Sequence, residues 1–375
     1  MRHHLTRRWR PLVAAALLVG AAAGCGSDAA DQKADTAAAE AAKTRLAANP
    51  ELTALVAAAK KEGALNLNWG FDGAGTAKAL TAAFTAAYGP EIKITLTPSQ
   101  NVSANVAKLQ QEYKAGAPAS SDAFLGNSEF TVGVGPKGAD ALLKVDWERI
   151  APWTKGLAGG DGAVLSLSDL IPGFTYNTGQ ITEKDLPRSA RDVVGLGKPV
   201  ASTPYAAQFN VLGDKGAMGP DGLRAYLKDF KPAGYLGCGE LNRVASGEFA
   251  ALWISCGRNN GDMLAAKGAP IATEIIKDAA IVSTRYMAIP KNARHPNAAK
   301  LWTTWLVTPE AQRVLMKHEF ADNRRIAGSR TAEQIADYEA RGVKFTKVDY
   351  DFAAGRPELY NGRFKGELVK LLTAK

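Results

Sequence analysis

The side chains best fitted to chemistry in this sequence are those that can hold an anion. Arg258 and Arg285 each offer a planar fork of N–H donors that suits a carboxylate, phosphate or phosphonate. The run Trp69-Gly70-Phe71-Asp72-Gly73-Ala74-Gly75-Thr76 lies between a strand pattern, Ala64 to Asn68, and a helical one, Thr76 to Tyr88. At such a junction free backbone N–H groups and the helix dipole favour negative charge. Two plainer readings stand beside this one: a glycine turn with no ligand, and arginines that are solvated or ion-paired at the surface. Gly73-Ala74-Gly75 also begins a dinucleotide fingerprint, but no third glycine follows at the required spacing.

Catalytic constellations are missing from the sequence. It has no Gly-x-Ser-x-Gly elbow, no Walker loop and no His-Glu-x-x-His, so no catalytic residue is assigned and an enzyme is not expected. Beyond the amino-terminal stretch only His295 and His318 remain beside three cysteines, too few ligands for a zinc site. We expect neither a metal nor any other cofactor. Lys and Arg exceed Asp and Glu by nine, but Arg2, Arg7, Arg8 and Arg10 fall in a leader without acids. With no basic block carrying interleaved aromatics, nucleic acid is not an expected partner.

The elements that must position these groups alternate. Residues 1–24 carry a basic start, an apolar run from Leu12 to Ala23 and a small-residue end before Cys25, the pattern of an export signal and too short for a bilayer span. Residues 25–50 are poor in large apolar side chains and are expected to be a flexible tether, with high helix propensity from about Asp35 to Leu46 but the role of a spacer either way. A helix near Leu52–Lys61 precedes the first strand. Strand Glu91–Thr97, a helix from about Asn101 to Ala115 and strand Asp122–Leu125 continue a doubly wound α/β pattern. Asn127 and Ser128 follow that strand in a loop, where turn chemistry alone also explains them. Strand Pro199–Thr203 leads into Tyr205-Ala206-Ala207-Gln208, a second strand-to-helix mouth with polar groups. Cys238 and Cys256 are an even pair in an exported chain, read as a disulfide, the alternative being two buried thiols. Ile281–Ile289 reads as a strand, and Pro296 and Thr308-Pro309-Glu310 start two helices with Trp302 and Trp305 facing a core. The closing helix, about Tyr360 to Leu372, is expected to pack across the first lobe.

Several of these segments occur together elsewhere. Ile289-Pro290-Lys291-Asn292-Ala293, His295-Pro296-Asn297-Ala298-Ala299 and Pro309-Glu310-Ala311-Gln312 resemble, in this order, a signature of bacterial extracellular solute-binding proteins of ABC importers. Lys108 to Pro118 with Asp122-Ala123-Phe124, and Tyr176-Asn177-Thr178, are similar to further segments of that family. The resemblance implies a two-lobed type II periplasmic-binding-protein fold, each lobe a doubly wound mixed sheet with helices on both faces and a ligand cleft between them. Residues 51–165 and 285–375 would form lobe 1 and residues 166–284 lobe 2. Ala22-Ala23-Gly24-Cys25 resembles a lipobox with Ala22 where Leu is usual, which implies a lipid on Cys25; an ordinary secretory signal is the alternative.

The family's implied partners are a small-molecule solute, an ABC permease with its ATPase, and a membrane reached through the lipid anchor, the protein itself being a monomer on the outer face of a membrane. Iron-binding relatives carry two tyrosines after the strand that here is Gly247–Ile254; Ser255-Cys256-Gly257-Arg258 replaces them, so ferric iron is disfavoured. A small organic anion is expected between Arg258 and the helix start Gly73–Thr76, with Arg285, Tyr286, Tyr176, Tyr205 and Gln208 around it. A sugar stacked on Trp69 is the nearest rival, and a sensory protein of the same fold or an exported hydrolase are the other functions considered.

Overall fold

The computed structural model describes residues 25–69, 74–98, 102–127, 141–205 and 208–374, with side chains in the first helix from Thr36 on. Its strands are β1 (Ala64–Trp69), β2 (Lys93–Pro98), β3 (Ala123–Asn127), β4 (Ala158–Gly159), β5 (Val164–Leu170), β6 (Phe174–Asn177), β7 (Val200–Ser202), β8 (Gly234–Tyr235), β9 (Ala251–Leu252), β10 (Ile271–Glu274), β11 (Ile281–Ala288) and β12 (Thr346–Val348). They form a seven-stranded sheet in the order β2-β1-β3-β11-β5-β4, with β12 also on β11, and a five-stranded sheet in the order β10-β6-β9-β7-β8.

Both faces of the first sheet are covered, so its central strands bury either parity of residue. On β11, Met287 and neighbouring Ile289 join the cluster that holds Leu65, Leu67, Leu165 and Trp302. Tyr286 and Ala288 face the opposite cluster with Phe124, Val106 and Leu109. Local signals fix the helices that do the covering. Asn49 caps Pro50–Glu62 by accepting Leu52 N–H, Glu51 and Lys60-Lys61 suit the dipole, and Gly63 at φ 69° ends it. Trp302 and Trp305 of Pro296–Leu306 pack on Phe84 with centroids 5.1 and 5.2 Å away. Each such aromatic pair contributes about 1 kcal/mol beyond the area it buries.

The chain leaves the first sheet after Leu170, enters the second at Phe174, and returns between Glu274 and Ile281. The crossings thus lie a few residues from the boundaries expected at 165/166 and 284/285, because β5 and β11 pair with each other along their length and both stay in the first sheet.

Two expectations are corrected. The segment 25–50 is not a free tether: Cys25–Ala48 is a helix, with Ala42 fully buried in the first core and Leu46 packed beside it. Arg45 pairs with Glu310 and lies over the Trp153 ring at 5.3 Å. Small alanines let this helix lie close to its neighbours, so it needs few large apolar side chains to dock. The carboxyl-terminal helices do not cross the first lobe either. Leu359, Phe364, Leu368 and Leu372 are buried with Phe209, Leu223 and Leu227 in the second core. Arg224 also holds Glu367 at 2.7 Å, which pins this tail to lobe 2.

Candidate functional site

β1 delivers the chain to the cleft. Trp69, its last residue, is buried, meets Trp302 edge to face at 6.4 Å, and donates its indole N–H to Glu319 Oε1 at 3.3 Å. The ring is therefore part of the floor and not an exposed plate for a sugar. Asp72 and Gly73 lie outside the described residues, as does Ser128. Gly75, at the start of helix Ala74–Tyr88, passes so near His318 that a Cβ would sit 3.3 Å from Nδ1. Thr76 is 1% exposed and its hydroxyl has no hydrogen-bond partner. An unpaired buried hydroxyl costs about 1–3 kcal/mol, and this one lies at a helix start.

The floor beneath is polar. β11 brings Arg285 beside Ser168 on β5, whose Oγ accepts Nε–H at 2.9 Å, and its Nη2 lies 3.7 Å from Glu319 Oε2. Burial pushes the Glu319 carboxyl up to about 7, with Arg285 pulling the other way. Burial likewise lowers the Arg285 guanidinium to about 10. Behind this pair Asp169 accepts from Thr284 Oγ1 at 2.7 Å and from Arg324 N at 2.9 Å, and Asn323 Nδ2 donates to Ser166 O. Segment 319–325 is thereby sealed onto the hinge strands. Helix Pro309–Glu319 ends there because Phe320 takes a left-handed φ of 52°. Sequence reasoning did not find Glu319, Asp169, Asn323 or Arg324; the polar run Asp322-Asn323-Arg324-Arg325 was the one signal available.

Lobe 2 meets this floor through helix Arg258–Ala265. Arg258 N–H donates to Ile171 O at 2.7 Å, and Asn259 Nδ2 donates to Glu319 O at 3.1 Å. The Arg258 side chain is engaged: Nε holds Asp262 at 3.1 Å and Nη1 holds Tyr338 Oη at 2.9 Å. Tyr205 is exposed after β7 with its hydroxyl 2.9 Å from Cys238 Sγ, and Cys238 is joined to Cys256, Cα atoms 5.6 Å apart. Gln208, at φ 69°, immediately precedes helix Phe209–Leu212.

Trp69, Gly75, Arg285 and the head of the lobe 2 helix thus gather around residues 318–319. Other expected members do not. Tyr286 points to the opposite face from Arg285, where it is buried and its hydroxyl accepts Tyr350 N–H at 3.0 Å; burial raises it to about 12. Tyr176 stacks on Phe174 at 5.9 Å within the second sheet. Arg285 is a buried hinge residue held by Ser168 and Glu319, whereas the Arg258 guanidinium is held by Asp262 and Tyr338. Asn127 is half-buried opposite Arg285 in the β3–β11 register. Among the described residues, no group of three His, Cys, Asp or Glu could hold a metal, and no helix is long and apolar enough to cross a membrane.

Compared by sequence, the chain matches no family model and no curated protein. Solved structures match its fold. A substrate-binding protein of an ABC transporter from Agrobacterium tumefaciens is similar with a TM-score of 0.65 at 14% identity, covering 82% of this chain and 95% of that one. AgtB from A. tumefaciens R10, solved with agropinic acid, gives 0.61 at 15% identity over 83% and 98%. Iron-bound HitA from Pseudomonas aeruginosa gives 0.56 at 19% identity over 69% and 85%. The chain has the two-lobed fold of these binding proteins, the type II periplasmic-binding-protein fold.

Proposed function

We propose that this protein is the lipid-anchored solute-binding component of an ABC importer, which captures a small organic anion by closing its lobes and delivers it to a permease. The observation that carries this reading is the approach of two helix starts, Gly75–Thr76 from lobe 1 and Arg258–Asn259 from lobe 2, to the same residues 318–319. The dipole of each helix start favours negative charge, and the unpaired Thr76 hydroxyl adds a donor from lobe 1; on the lobe 2 helix the Arg258 N–H is already given to Ile171 O. In this reading Asp72, Gly73, Asn127 and Ser128 border the anion from lobe 1, and Tyr205 and Gln208 from lobe 2. Arg258 contributes chiefly its helix start, since its side chain holds Asp262 and Tyr338. A neighbour of this fold solved with agropinic acid is consistent with an organic acid. The Ser255-Cys256-Gly257-Arg258 run lacks the phenolate pair that would favour ferric iron.

A thermal-shift screen of phosphonates, carboxylates, sugars and ferric citrate tests the ligand class. Stabilisation by phosphonates or carboxylates, reduced in Thr76→Ala, is expected; stabilisation by sugars alone, or anion binding untouched by the substitution, refutes it. The active anion should also lower the radius of gyration in small-angle scattering, because contacts to both lobes select the closed arrangement.

A further inference from the structure

Helix Arg258–Ala265 travels with the second sheet. Gly261 lies so close to it that a Cβ would meet Thr273 Oγ1 of β10 at 2.7 Å. Helix Arg330–Ala340 belongs to the other side of the hinge. Its start is held by Asp322, which accepts from Ser329 Oγ, Arg330 N and Thr331 N, and Asp322 O in turn accepts Asp169 N–H of β5. Ile335 and Tyr338 pack with Ile171, Ile275, Ala280 and Val282, where the chain passes between the sheets.

Across this boundary run side-chain bonds that fix no secondary structure. Arg258 Nη1 donates to Tyr338 Oη at 2.9 Å, and Gln334 Nε2 donates to Asp262 Oδ2 at 3.4 Å. Arg258 and Asp262 also hold each other, their side chains only 27% and 17% exposed. Shielded, charge-assisted bonds of this kind are stronger than exposed pairs. They add to the links between bodies already joined by three chain crossings, at 170–174, at 274–281 and from β12 into the carboxyl-terminal helices, and by the Asn259–Glu319 bond, and lobe rotation would stretch or break them.

We propose that Arg258, Asp262, Gln334 and Tyr338 form a clasp on the hinge that holds the lobes in the arrangement seen here without any solute. Its consequence for affinity rests on the solute-binding reading: the clasp sets the share of molecules whose two helix starts already face residues 318–319, and apparent affinity scales with that share.

The test is small-angle scattering on the exported chain with nothing added, comparing wild type with Tyr338→Phe, Gln334→Ala and the double variant. Neither position touches Gly75, Thr76 or Asn259. Each lost bond shifts the ratio of clasped to loosened molecules by about fivefold, and losing both shifts it further, so the double variant should show a larger radius of gyration with an unchanged far-UV circular dichroism spectrum. A folded double variant that scatters like wild type overturns the clasp. If the double variant loses its fold, Asp262→Asn, which keeps shape and removes charge, is judged by the same comparison. Titration with methylphosphonate and succinate separates the two readings: failure of both probes on every variant counts against the anion, while the solute-free scattering still decides the clasp.

Discussion

Replacing Glu319 by glutamine probes the buried pair beneath the cleft through the pH dependence of stability. Burial holds the Glu319 carboxyl up to about 7 in the folded protein, against an ordinary 4.5. In the unfolded chain it loses its proton near 4.5, while the folded chain keeps it until about 7. The contribution is therefore fully present below 4.5 and is lost as the pH rises through 7. At about 1.4 kcal/mol per pH unit, the gap between those values amounts to about 3 kcal/mol. Glutamine fills the same space, can still accept from Trp69 Nε1, and cannot ionise. It leaves Arg285 with a weaker partner, so the variant's curve is offset as well as flattened, and the slope is the diagnostic quantity. Urea unfolding of both proteins from pH 4.5 to 8 should show wild type losing about 3 kcal/mol relative to the variant across the window. Background titrations cancel in that difference. A difference constant to within about 0.5 kcal/mol would refute the argument that burial dominates at Glu319.

Other outcomes follow from the packing. Ala42→Asp places an unpaired charge in the first core and should cost about 3 kcal/mol or more, read as a lower melting temperature; an unchanged value would mean that the first helix does not dock. Cys238→Ser with Cys256→Ser should cost about 3 kcal/mol of stability, measured by urea unfolding against the oxidised wild type, since the crosslink closes a loop of sequence separation 18. Cys25→Ser should move the protein from the membrane fraction to the soluble one if Cys25 carries the lipid, because the described residues hold no spanning helix.

Local signals carried much of the architecture. The capped, proline-started helices, the alternation of β1, β2 and β3 with helices, and the alternating β-branched and aromatic residues of β11 were legible because each depends on residues within a turn or two of one another. The two-lobed fold came from the resemblance carried by the 289–312 and 108–124 segments. The disulfide was expected from an even pair of cysteines, and the structure joins them.

Other features depend on contacts between distant segments, which no local window contains. Ala38 and Ala42 look like spacer residues until another helix offers a surface close enough for a methyl group to fill. The apolar stripe Leu359, Phe364, Leu368 and Leu372 announces that its helix is buried, but either lobe could satisfy it; Phe209, Leu223 and Leu227 decide for the second. The site shows the same division. Arginine types mark a capacity for anions, and the helix starts were visible as strand-to-helix junctions. Whether a guanidinium is free depends on what lies opposite: Asp262 and Tyr338 engage Arg258, and Ser168 and Glu319 engage Arg285. Burial raises Glu319 only because tertiary packing removes water from a carboxylate that any sequence reading would treat as ionised. Sequence by itself determined the elements and the kinds of groups at their ends; the tertiary structure decided which of those groups are desolvated and paired, since desolvation and pairing belong to the space between elements.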